Sequence, residues 1–123
     1  MPILDIELVQ PDGAPPLAAV LTQALADAAG RVLGAAPGHS WVRLRVLPAA
    51  HYAENEAPVA ADELPAFATV LHARPPQGDA LAAETAALTQ ALAACLGRSP
   101  QRVHVQYAPA AAGRQAFGGV LVR

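Results

Sequence analysis

Pro2 directly follows Met1 and opens the apolar stretch Ile3-Leu4-Asp5-Ile6-Glu7-Leu8-Val9. Loss of the initiator Met, usual before a small second residue, would leave a free secondary amine at the root of a strand. An α-amino group titrates near 8 when unperturbed, and apolar surroundings lower that value because burial disfavours the charged form. A neutral proline nitrogen is then a competent general base, and its conjugate acid can return the proton. The other chemistry-bearing residues are few. All eight basic residues are Arg and none is Lys, which removes Schiff-base chemistry and a phosphate-cradling loop lysine. The fixed planar fork of Arg suits bidentate carboxylate recognition. The single Cys95 allows no intramolecular disulfide and gives no metal-ligand spacing. No metal and no cofactor are expected.

The elements that must position Pro2 follow from periodicity. Leu4, Ile6 and Leu8 alternate with Asp5 and Glu7, the pattern of a half-buried strand over 3–9. Pro11 to Pro16 forms a turn. Leu17, Leu21, Leu25, Ala28 and Val32 then mark an amphipathic helix of about 17 residues, ended by Gly34, Pro37 and Gly38. A second strand runs over 41–47, with Val42, Leu44 and Val46 on one face and Arg43 and Arg45 on the other. Residues 48–65 read as a solvated irregular loop carrying His51, Tyr52 and Glu54. The pattern then restarts. A strand is expected over 66–73, a turn at 74–78, and Asp79 as N-cap of a helix through Leu81, Thr85, Leu88, Leu92 and Cys95, which places Cys95 in the core. Gly97 closes it. Val103, Val105 and Tyr107 share one face of a fourth strand, and a Gly-bearing tail ends in Val120-Leu121-Val122.

This is a β-α-β unit written twice within one domain of 123 residues: 1–57 as the first unit and loop, 58–123 as the second unit and tail. Leu17-Ala18-Ala19 aligns with Leu81-Ala82-Ala83, Val42-Arg43-Leu44 with Val103-His104-Val105, and Pro48-Ala49-Ala50 with Pro109-Ala110-Ala111. The expected fold class is α+β, a four-stranded mixed sheet with two helices on one face. The other face has no cover within the chain, and sheets with parallel pairs are normally buried on both sides, so a homo-oligomer is expected. A net charge of −2 and a pI near 6.0 argue against nucleic acid as a partner. No apolar run approaches the roughly 18 residues of a membrane span, and no basic residue precedes Arg31, as a secretory leader would require. The expected compartment is the cytoplasm. A ferredoxin-like binding domain shares the count of two helices and four strands and differs in strand order.

Several stretches together resemble the tautomerase superfamily, whose members include 4-oxalocrotonate tautomerase, macrophage migration inhibitory factor, malonate semialdehyde decarboxylase and cis-3-chloroacrylic acid dehalogenase. They are Pro2 after Met1, the helix segment Leu21 to Arg31, Val70-Leu71-His72, Ser99-Pro100-Gln101-Arg102-Val103 before the fourth strand, and Phe117-Gly118-Gly119 in the tail. The resemblance implies a fused two-unit subunit, a homotrimer with its site near a subunit boundary, and a small carboxylate substrate. It implies Pro2 as base and acid in keto–enol interconversion. It places carboxylate-binding Arg74 at the end of the third strand, Arg43 on the second strand with His104 at the duplicated position, and Phe117 as an aromatic wall. A hydratase, decarboxylase or dehalogenase of the same superfamily is the alternative, with His39 in the Ala35–Ser40 loop standing where the decarboxylase keeps a water-activating acid. A non-catalytic, ligand-binding oligomer is a further alternative. The region Pro75-Pro76-Gln77-Gly78 lacks the second Arg of the dehalogenase, and Asp12 stands where the oxalocrotonate enzyme has Arg.

Overall fold

The structure is a computed structural model that describes residues 2–123. Strand β1 (Ile3–Gln10) lies at the centre of a four-stranded sheet, flanked by β2 (Trp41–Pro48) on one side and β3 (Ala66–Leu71) on the other, with β4 (Val103–Tyr107) beyond β3. The outer pairs β1/β2 and β3/β4 are parallel, and the central pair β1/β3 is antiparallel. Each parallel pair is one β-α-β unit, crossed by α1 (Ala19–Leu33) or α2 (Gly78–Leu96). The expected duplication and mixed sheet are therefore present. Adjacent parallel β1 and β2 exclude the ferredoxin-like arrangement, in which the strands of each unit are split by another.

Alternation along the strands assigns the faces. Leu4 pairs with Val42 and Val70, and Val70 with Tyr107; Ile6 pairs with Leu44 and Ala68, and Ala68 with Val105. These rows pack under Leu25 and Ala29 of α1 and Leu88, Leu92 and Ala93 of α2. Small Ala side chains on both helices let them sit close to the sheet and to each other. Cys95 packs against this core, its thiol 3.7 Å from the Ala24 carbonyl, and Tyr107 packs against it too. The opposite face carries Trp41, Ile3 and Leu71 in one row, Arg43, Asp5, Thr69 and Gln106 in the next, and Arg45, Glu7, Phe67 and His104 in the third. Among the described residues no helix covers it; only Phe117 against Trp41 and Tyr52 against Phe67 reach its ends.

Three local expectations are corrected. Asp79 is not the N-cap of α2: the helix begins at Gly78 with Gln77 as N-cap, which places Asp79 in the first turn, where its charge complements the positive end of the helix dipole. Strand β3 ends at Leu71 rather than 73, because the His72 ring bends back to accept a hydrogen bond from the Arg74 amide. The loop over 48–65 is also more than a solvated connection. Its Tyr52 hydroxyl donates to Glu54 Oε2 (2.6 Å), and Arg102 donates to the same carboxylate (2.6 Å) and to the Glu63 carbonyl (2.6 Å). Ser99 caps the short 3-10 turn Pro100–Arg102 by accepting from the Gln101 amide, which fixes Arg102 for this clasp.

Candidate active site at the head of the central strand

Pro2 is buried immediately before Ile3, and its carbonyl accepts from the Trp41 amide (3.0 Å). The first β1/β2 pair is Ile3 with Trp41, and the first β1/β3 pair is Ile3 with Leu71. Carried one position past their end pairs, the two registers set Ser40 and His72 to either side of Pro2. The tail brings a third wall. After β4 the chain runs beside the end of β3, with the amides of Ala111 and Ala112 donating to the carbonyls of His72 and Ala73 (2.9 and 3.1 Å). It then folds as a two-stranded hairpin, β5 (Ala116–Phe117) and β6 (Val120–Leu121). Positive φ at Gly118 (55°) and Gly119 (86°) makes that tight turn possible, since both central residues need the left-handed region. The hairpin sets Phe117 edge-on to Trp41, ring centroids 5.2 Å apart at 83°.

The expected site residues divide by position. Pro2 and Phe117 lie at this end, joined by Trp41. Arg74 lies three residues beyond Leu71, exposed, with no carboxylate partner among the described residues. His39 is exposed in the loop before Trp41. Arg43 is already engaged: its Nε and Nη2 donate to the two carboxylate oxygens of Asp5 at 2.6 and 2.7 Å. That pair holds the Asp5 carboxyl below its ordinary value, chiefly through the hydrogen bond from Arg43. His104 sits at the other end of the sheet, stacked on Phe67 at 5.5 Å. Phe67 pairs with Glu7, five residues from Pro2, or about 17 Å along the strand. Within one subunit the fold does not bring His104 to Pro2.

Three neighbours of Pro2 were not singled out in the sequence: Trp41, Ser40 and His72. Register alone identifies them, since the parallel pairing expected of the first unit aligns the start of the second strand with the start of the first. Ser40 packs against α1 near Gly30, and its hydroxyl is buried with no hydrogen-bond partner among the described residues.

Several solved structures share this arrangement. A fused 4-OT, a symmetric trimer, superposes with a TM-score of 0.72 at 23% identity, covering 98% of this chain and 94% of that one. A macrophage migration inhibitory factor homologue from Prochlorococcus marinus gives 0.69 at 15% identity over 98% and 99%. A malonate semialdehyde decarboxylase inhibited by 3-bromopropiolate gives 0.65 at 17% identity over 94% and 90%. The chain has the fold of these structures. No protein-family model matches the chain, and no curated protein matches it in sequence. No helix among the described residues is long and apolar enough to cross a membrane.

Proposed function

We propose that the chain, once freed of Met1, is a proline-based tautomerase that interconverts the keto and enol forms of a small carboxylic acid. Removal of Met1 lies outside the described residues and is part of the proposal, since a retained Met would make the Pro2 nitrogen an amide with no basicity. The observation that carries the reading is Pro2 itself, buried at the head of the central strand with its carbonyl held by the Trp41 amide. The unpaired Arg74 supplies a bidentate anchor for the substrate carboxylate and positive charge near a developing enolate. Arg43, which spends one edge of its guanidinium on Asp5, has less to offer an anion.

The bare sheet face supports assembly as a homotrimer, the state of the fused 4-OT structures. A neighbouring subunit is then the route by which a residue such as His104 reaches a Pro2 site.

The test couples intact mass with ketonisation of phenylenolpyruvate and 2-hydroxymuconate. Protein lacking Met1 is expected to catalyse at least one of them, with kcat/KM falling by about 10²–10⁴-fold, the usual worth of a general base, in Pro2→Ala. Equal rates in the two proteins would sink the amine mechanism. Arg74→Ala is expected to raise KM more than it lowers kcat, as loss of uniform carboxylate binding does.

A further inference from the structure

The amine accounts for the proton on carbon but leaves the substrate oxygen without an assigned partner, and His72 stands where one is needed. It lies one residue beyond Leu71, the partner of Ile3, where the β1/β3 register carried one step past its last pair sets it opposite Pro2. Its carbonyl is held by the Ala111 amide at 2.9 Å, which fixes the backbone from the tail side. Its ring is half-buried, and Nδ1 accepts from the Arg74 amide at 3.2 Å. An imidazole that accepts at Nδ1 carries its proton on Nε2 when neutral. The backbone therefore selects a single tautomer and leaves Nε2–H without a partner among the described residues. The same bond ties the ring to Arg74, so the carboxylate anchor and the imidazole are set by one turn.

We infer that His72 is a catalytic hydrogen-bond donor, its Nε2–H holding the oxygen of the substrate enolate while Pro2 moves the proton; this rests on the tautomerase reading above. In ketonisation the neutral Pro2 nitrogen takes the enol O–H proton. The resulting enolate oxygen accepts the bond from Nε2–H, with the imidazole staying neutral throughout. The prolinium N–H then passes its proton to carbon as the oxygen lone pair closes the carbonyl, and the amine is regenerated. The substrate class is a 2-keto or 2-enol carboxylic acid, with carboxylate on Arg74 and the adjacent oxygen on His72.

Two variants separate this from a purely structural role. His72→Asn keeps an acceptor for the Arg74 amide and loses the Nε2 donor. His72→Gln restores a donor at about the Nε2 position. With Met1-free protein and phenylenolpyruvate, kcat is expected to fall about 100-fold in H72N, the scale of losing one oxyanion donor, and to recover at least tenfold in H72Q. Equal loss in both variants, or loss in neither, overturns the assignment. Nitrogen-detected NMR of the wild-type imidazole gives a readout independent of activity: a protonated Nε2 and bare Nδ1 support the proposal, and the reverse tautomer overturns it. Pro2→Ala is measured beside them. An unchanged rate in that variant fails the amine mechanism by itself, while the H72N-to-H72Q contrast still reports on the oxygen partner.

Discussion

At the scale of single residues, the Asp5–Arg43 clasp ties the central strand to its parallel neighbour through two short charge-assisted bonds. The folded-state pKa of Asp5 lies below its ordinary 3.8, so the clasp contributes stability above that value and loses it as pH falls through the depressed folded value. Thermal melts of wild type and Asp5→Asn are expected to differ at pH 7 and to converge as pH falls below 3.8. A gap that persists unchanged in acid would show that the carboxylate is not the source. Tyr107 behaves in the opposite sense. Its hydroxyl donates to Glu84 at 2.6 Å, and burial, then that bond, raises it to about 12. The neutral phenol is thus favoured in the fold, and its contribution persists below pH 10 and fades as pH rises beyond it. Ultraviolet titration is expected to show a phenolate step near pH 12 that disappears in Tyr107→Phe. The buried place of Pro2 at the head of the first strand was legible in the sequence because it depends on one residue type and its position. The engagement of Arg43 was not, although its signal existed: Asp5 and Arg43 are both outward positions on strands that a β-α-β unit makes neighbours.

At the scale of elements, the two units share a plan and end differently. The first opens its strand head to the tail hairpin and the Trp41–Phe117 pair. The corresponding end of the second is shut by Tyr52 and Glu54 reaching over from the long loop to Arg102 before β4, with Tyr52 also packed on Phe67. In face-matched register Leu64 stands where the first unit has Pro2, and it is buried and offers no amine. One protomer therefore presents one candidate site. Arg102→Leu is expected to release the loop, seen as faster proteolytic cleavage within residues 49–64 and little change elsewhere. Periodicity made the strands and helices legible, because apolar alternation and 3.6-residue spacing are local properties. The clasp was not legible, because it joins Glu54 to Arg102 across 48 positions, and polar loop residues carry no periodic signal. The start of α2 was misplaced for a related reason: it has no side-chain cap, so a search for capping residues fixes on the nearest Asp.

At the scale of the whole molecule, the helix-covered face supplies the core and the bare face is the surface on which the proposed assembly rests. Leu92, fully buried in α2, is expected to cost about 2–5 kcal/mol on truncation to Ala, measured by urea unfolding. On the uncovered face, Phe67, Ile3 and Leu71 sit among charged rows that alternate Arg43 with Asp5 and Arg45 with Glu7. That mixture leaves a subunit short of an aggregating patch while giving a second copy something to bury. Sedimentation velocity is expected to show a trimer for wild type and a smaller species for Phe67→Asp, with activity falling in step if the site needs a neighbour. The one-sided sheet was legible in the sequence, because two helices are too few to cover both faces of a sheet with parallel pairs.

Trp41 is the chain's single tryptophan, and it is 42% exposed beside Phe117 and the Pro2 carbonyl. The protein thus carries its one indole fluorophore at the candidate site. Emission from that indole will report events around Pro2 with no background from a second tryptophan, so a carboxylate ligand can be titrated optically before any substrate is known.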